Sequence, residues 1–340
     1  MVWSFKDVQK LDSRKILAIV VLFAVVIASH YFSEQLKTIE LPNRLQDFIT
    51  LSTSVFVEAF PFLILGSILA VLVRTFVPSS FFTKVLPKQG IPRRMVISLL
   101  GFLFPVCECG NVPVARALLM EKLSVADSVT FLLAAPVINP ITLWATSEAF
   151  GFDPKIVITR FFATFIIANL IGYLISLRKD QSSFLTKGFK AEQASHAHTE
   201  TSTISNRDKA KTIAPLFQAE VLTMIKMLAV GAVIAGLVQT VVPRDLLAAI
   251  GSNVILSIVA MLLLAFVISI CANVDAFFAL AFSNVFTAGS IVSFLVFGPM
   301  VDIKMLALMK TTFKTELLIM ITVTVTLLSA LTGLVFTYAL

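Results

Sequence analysis

Charged side chains are scarce in this 340-residue sequence: Asp, Glu, Lys and Arg make up 14% of it, against 58% hydrophobic residues. A soluble domain needs far more polar surface than that. Histidine occurs three times and cysteine three times. Cys107, Cys109 and Cys271 all fall in or beside apolar runs, so they form no secreted disulfide framework. No histidine lies near Cys107 or Cys109 in the sequence, so the base of a thiol nucleophile is missing and the chain does not read as an enzyme. No Gly-x-x-x-x-Gly-Lys-Ser/Thr stretch exists, which excludes an ATPase on this chain. No cofactor motif is present.

What is there is long apolar runs, with a mean hydropathy of +0.94. They recur often enough to define an all-α polytopic membrane protein whose first partner is the lipid bilayer. The net charge of +7 belongs to Lys and Arg in the gaps between runs, the pattern of membrane topology and not of nucleic-acid binding. Apolar spans are expected near 16–32, 48–76, 93–109, 111–121, 124–146, 156–177, 216–242, 252–272, 274–287, 289–309 and 314–339. Residues 1–47 hold a basic, cytoplasmic start, a first transmembrane helix and an external loop. Val26-Ile27-Ala28 resembles a signal cleavage site, and a retained helix is the preferred reading. The single long polar stretch, 178–215, carries seven Lys/Arg against four Asp/Glu and reads as a flexible cytoplasmic linker. It separates a first transmembrane unit, 48–177, from a second, 216–340.

The two units resemble each other. LGSILAVLVRTFVP at 65–78 matches VGAVIAGLVQTVVP at 230–243 at seven of fourteen positions. Cys109-Gly-Asn-Val aligns with Cys271-Ala-Asn-Val, and Ala135-Pro-Val-Ile-Asn139 with Gly298-Pro-Met-Val-Asp302. The offsets are 165, 162 and 163 residues, in the same order, which is a duplication. Lys84, Lys88, Arg93 and Arg94 put the end of the 48–76 span in the cytoplasm, and Lys304, Lys310 and Lys314 do the same for the 309–314 turn. Glu148 and Asp153 put 147–155 outside. The repeats therefore run with inverted topology, as in many secondary transporters and some channels.

The stretch FPVCECGNVPVARALL, 104–119, sets polar groups and two helix breakers inside this apolar text. Gly110 and Pro113 are expected to interrupt the helix at the tip of a re-entrant or broken hairpin, with a partner tip at Cys271-Ala-Asn-Val-Asp275. Irregular backbone at membrane depth must line a cavity or be covered by protein. Breaks are also expected at Pro136 and Pro299. The expected polar lining near the bilayer midplane is Cys107, Glu108, Cys109, Gly110, Asn111, Asn139, Cys271, Asn273, Asp275 and Asp302. Thiolates are soft ligands, so Cys107, Cys109 and Cys271 are candidate ligands of a soft metal or metalloid; the alternative is that they pack beside a polar tip. Glu58 is a candidate ion group or a headgroup-level residue. Arg116 is a partner for Glu108, an anion site, or a boundary residue. Lys226 snorkels. His196 and His198 lie in the linker and carry little weight as ligands.

The text FPVCECGNVPVARALL, with LAAPVINPIT at 133–142, resembles the ArsP-type predicted permeases, also called YraQ-like, over roughly residues 50–339. The resemblance implies efflux of trivalent organoarsenicals across the bacterial inner membrane. The expectation is a multi-pass permease that exports a small thiol-reactive solute by secondary, proton-coupled transport, with Asp302, Asp275 or Glu108 as proton carrier. The alternatives are a transporter of soft or divalent metal ions and a non-transporting subunit of a larger complex. A homo-oligomer is compatible with either transporter reading.

Overall fold

The structure is a computed structural model, and it describes residues 43–76, 86–87, 90–102, 107–200, 206–241, 253–283 and 285–339. The chain divides into residues 1–47 and 48–340. Of the first unit only the opening of α1 is described, so the expected helix at 16–32 lies outside the described residues, as do Lys84 and Lys88.

The elements in order are α1 (Asn43–Phe76), α2 (Ile91–Ser98) with a 3-10 turn to Phe102, α3 (Glu108–Met120), α4 (Val125–Ala134), α5 (Pro140–Ala149) and α6 (Pro154–Ser176). A 3-10 turn (Gln181–Phe184) and α7 (Lys187–Glu200) follow, then α8 (Asn206–Val241), α9 (Val254–Ile268), α10 (Asp275–Leu280), α11 (Ala288–Phe297), α12 (Ile303–Met309) and α13 (Thr315–Ala339). Among the described residues four helices are long and apolar enough to cross a membrane: Arg44–Val73, Pro154–Ser176, Pro215–Thr240 and Thr315–Ala339. They are the outer helices α1, α6, α8 and α13. Between them lie shorter apolar helices, α4, α9 and α11, of 10 to 15 residues. The long helices present apolar side chains outward, such as Ile158, Phe162 and Ile166 on α6 and Ile319, Val323 and Leu327 on α13. Spaced four apart, these make one lipid-facing stripe on each helix.

The duplication is visible in side-chain contacts. On α4, the Thr130 hydroxyl donates to the carbonyls of Ala126 and of Ala168 on α6. On α11, the Ser293 hydroxyl donates to the carbonyls of Gly289 and of Ser329 on α13. Thr130 and Ser293, and Ala126 and Gly289, are 163 residues apart, and Ala168 and Ser329 are 161 apart. Small residues let the backbones approach there: a Cβ on Gly172 would strike Thr130, and one on Gly333 would strike Ser293. Across the halves, α5 packs on α10 and α3 on α12, the same exchange made twice.

The expected breaks at Pro136 and Pro299 are present. The backbone leaves the helix after Ala134 and after Phe297, and Asn139 and Asp302 start new helices as N-caps. Asn139 Oδ1 accepts from Ile141 N at 2.9 Å and Asp302 Oδ1 from Met305 N at 2.6 Å. The third break, 269–274, follows Ser269, whose φ of 55° ends α9. The fourth differs from expectation. Gly110 and Pro113 do not interrupt the chain: α3 runs through both, and the helix begins one step earlier, with Cys107 as N-cap. The carbonyl of Cys107 accepts from Gly110 N and Asn111 N, both at 3.1 Å, anchoring the first turn. Pro113 gives up only the bond to the carbonyl of Cys109, and its fixed φ suits a helix. Gly110 serves packing, because its backbone meets that of Gly66 on α1.

The polar stretch 178–215 was expected to be flexible. Its first part is instead anchored. Phe184, Leu185 and Phe189 are buried. Thr186 N donates to Thr312 O at 2.9 Å, and Lys314 N to Phe184 O at 2.8 Å. Polar composition conceals these three apolar anchors, spaced so that they meet the 310–314 turn. The anchor centres on Arg116, near the end of α3. Its guanidinium donates to Glu220 on α8 at 2.9 Å, Glu192 on α7 at 2.7 Å and Thr312 at 2.9 Å, and lies over the Phe189 ring at 4.9 Å. Arg116 thus pairs with Glu220 and Glu192 rather than with Glu108. We predict that Arg116→Ala, which removes the guanidinium from the buried Glu220 carboxylate, costs about 3 kcal/mol and frees α7. Limited proteolysis with trypsin should then cleave at Lys187 and Lys190 faster than in the wild type, while Glu192→Gln, at a half-exposed partner, should have a small effect.

Candidate functional site

The site forms where α3 begins and the 269–274 break ends α9. Ligand atoms of Cys107, Glu108 and Cys271 lie within 4.8 Å of one another, and all three residues are buried. Two sulfurs from two halves of the chain therefore gather at one place, and Cys109 is buried close by in the sequence of α3. Cys107 is the extended cap residue of α3 and Cys109 lies in its first turn.

The break is held from both sides by charged groups. Cys271 N donates to Glu58 Oε1 on α1 at 3.2 Å, and Ala272 N to Glu108 Oε2 at 3.5 Å. Glu58 is thus a partner of the break rather than a headgroup-level residue. The freed carbonyl of Ser269 accepts from Lys304 Nζ at 2.6 Å. Lys304 Nζ also lies 2.9 Å from Glu108 Oε1 and 3.7 Å from Asp302 Oδ2. Amides find carboxylates and a carbonyl finds an ammonium, as unsatisfied helix ends require in a water-poor interior. Lys304 is 1% exposed. Its expected place on a cytoplasmic turn is therefore wrong, because its neighbours are acidic and buried; Lys310 and Lys314 are the exposed cations of that turn. Arg93 and Arg94 are likewise buried, and Arg93 pairs with Asp127 at 3.1 Å.

The remaining expected residues fall nearby in a second group. Asn273 Oδ1 accepts from the Thr142 hydroxyl at 2.9 Å, and the same hydroxyl donates to Pro136 O at 2.9 Å, tying the 269–274 break to the 135–139 break. Asn139 is buried, and its Nδ2 has no hydrogen-bond partner among the described residues. Asn111 is buried in α3. Asp275, at the start of α10, accepts from Arg160 Nη2 at 2.5 Å, and Arg160 Nη1 donates to Thr146 at 2.6 Å. Asp275 thus pairs with a buried cation through Oδ2. Sequence reasoning missed Arg160, Thr142 and Lys304. Arg160 had a signal, as the one charge inside the 156–177 run.

Helices that stop in mid-span, caps that face each other across two halves, and buried thiols and charges around the gap define a membrane permease by architecture. The chain belongs to the ArsP-type predicted permease family, whose sequence model matches residues 44–338. It is 33% identical over 279 residues to a protein of Streptococcus mutans named "Putative two-component membrane permease complex subunit", covering 82% of this chain and 91% of that protein. It is 37% identical over 261 residues to the UPF0718 protein YcgR of Bacillus subtilis, covering 77% and 87%. A UPF0718 protein of Methanocaldococcus jannaschii is 25% identical over 141 residues, covering 42% and 37%. No solved structure matches the chain.

Proposed function

We propose that the chain exports a small thiol-seeking solute, a trivalent organoarsenical being the leading case, across the bacterial inner membrane by proton-coupled secondary transport. The observation that carries this reading is the meeting of Cys107 and Cys271, from both halves, in a buried place beside Glu108. Soft sulfur ligands favour a soft central atom. Two buried ion-pair layers flank the thiols and suit alternating access. Arg116 lies eight residues beyond Glu108 on α3, roughly 12 Å along the helix, toward the 310–314 turn. Arg160 and Asp275 lie toward the 150–153 turn. Opening one layer at a time, with inverted halves rocking about the thiol site, would expose the cargo to one side only.

The test is expression in an efflux-deficient, arsenic-sensitive bacterium challenged with methylarsenite. Resistance should rise, and Cys107→Ser/Cys271→Ser should abolish the gain at equal membrane abundance. No gain from inserted wild-type protein that co-purifies with no second protein from its own cell rejects the arsenical. The S. mutans relative's name supports a second reading, in which the permease works with another component. In that case the chain alone gives no resistance and co-purifies from its own cell with a stoichiometric second protein.

A further inference from the structure

We infer that Lys304 sets the charge selectivity of the thiol site: its ammonium engages the Glu108 and Asp302 carboxylates, so the site takes an uncharged thiol-seeking cargo and turns metal cations away. The inference rests on the reading of the thiol cluster as the cargo site.

An ammonium has three donors, and Lys304 has three acceptors around it: Ser269 O, Glu108 Oε1 and Asp302 Oδ2, at 2.6, 2.9 and 3.7 Å. The other oxygen of each carboxylate faces a backbone amide, Ala272 N for Glu108 and Met305 N for Asp302. Glu108 and Asp302 are thus held by the ammonium on one oxygen and by a backbone amide on the other. Glu108 itself belongs to the cluster with Cys107 and Cys271. A dication bound there would share that carboxylate with an ammonium 2.9 Å away, in a buried place where water screens little.

Proton balance points the same way. A dication that binds two thiols displaces two protons, which need a base. The carboxylates beside the sulfurs are Glu58, Glu108 and Asp302; Lys304 engages the last two, and Glu58 accepts from Cys271 N. An uncharged dihydroxy species R–As(OH)2 needs none: two As–O bonds break, two As–S bonds form, and each thiol proton leaves with a hydroxyl as water. The oxidation state is unchanged and no net charge enters. Sequence places Lys304 inside the expected 289–309 span, where its charge reads as a topology signal; its burial between two carboxylates gives it another role.

The experiment uses the purified full chain in detergent, with phenylarsine oxide and Cd2+ as probes. Thiol loss measures capture of the first, and the ultraviolet thiolate-to-cadmium absorption measures binding of the second. Four proteins are compared: wild type, Lys304→Arg, Lys304→Met and Lys304→Met/Asp302→Asn. The double variant keeps the wild-type net charge of the cluster and an N-cap acceptor at 302, so it reports even where Lys304→Met fails to fold. Wild type and Lys304→Arg should capture phenylarsine oxide and bind Cd2+ weakly. Removing the ammonium should tighten Cd2+ binding at least about tenfold and leave arsenical capture in place. Tight Cd2+ binding by the wild type, or an affinity that does not change along the series, overturns the role of Lys304 while leaving the cargo site standing. A wild type that captures neither probe overturns the cargo site itself, and this inference with it.

Discussion

Replacing Gly66 with valine is expected to leave little or no folded protein. A Cβ at residue 66 would overlap the Cα, carbonyl carbon and oxygen of Gly110. These are backbone atoms of a buried helix, so no side chain can swing aside. The helices α1 and α3 would have to separate, and α3 carries Cys107 and Glu108 at its start. Glu58 sits eight residues before Gly66, roughly 12 Å along α1, and would lose Cys271 N as its donor. One substitution thus undoes both the crossing and the hold on the 269–274 break. Small residues at such crossings are what allow membrane helices to pack without a hydrophobic drive between them. The check is the monodisperse fraction on size-exclusion chromatography after mild detergent extraction. Gly66→Val should lose most of it, and Gly66→Ala should fall between. Gly188→Val on exposed α7, where an added Cβ meets nothing within 4 Å, should behave as wild type. Wild-type behaviour of Gly66→Val would mean that α1 and α3 do not cross there.

The parts legible in sequence are those set by local chemistry. Proline after an apolar run, followed three residues later by Asn or Asp, specifies a break and a new cap, and Asn139 and Asp302 do both. The pairing of sequences at offsets near 163 residues also brings Thr130 and Ser293 into equivalent bonds. What was not legible depends on distant partners. Pro113 and Gly110 have the composition of a break, yet the α1 backbone decides that Gly110 is a contact inside a helix. Lys304 has the look of a topology signal, and only its acidic neighbours, one of them nearly two hundred residues away, show otherwise. The 178–215 stretch is polar on average, but Phe184, Leu185 and Phe189 find a buried seat on the 310–314 turn. Average composition describes a segment; a few anchors decide whether it is ordered.

Asp275→Asn should be among the most destabilising conservative substitutions in the chain. Arg160 is fully buried on α6, its guanidinium shared between Asp275 and Thr146. Amidation leaves that guanidinium charged and without its counter-ion, and a guanidinium cannot shed its proton. Breaking a buried pair from one side typically costs about 3–5 kcal/mol. Arg160→Met should cost less, because a carboxyl left without its cation can take up a proton. The double variant Arg160→Met/Asp275→Asn should recover much of the loss, since it removes the stranded charge altogether. Thermal unfolding of the four proteins in detergent gives the cycle, and a coupling of about 2 kcal/mol or more is expected for a pair in direct contact. The pair joins α6 of the first half to α10 of the second, on the far side of the thiols from Arg116. Its loss should therefore also loosen that side, raising the reaction rate of Cys271 with a membrane-impermeant maleimide added from the 150–153 side. Additive single effects, with Cys271 as protected as in the wild type, would mean that Arg160 and Asp275 are separate buried charges and not a closure between the halves.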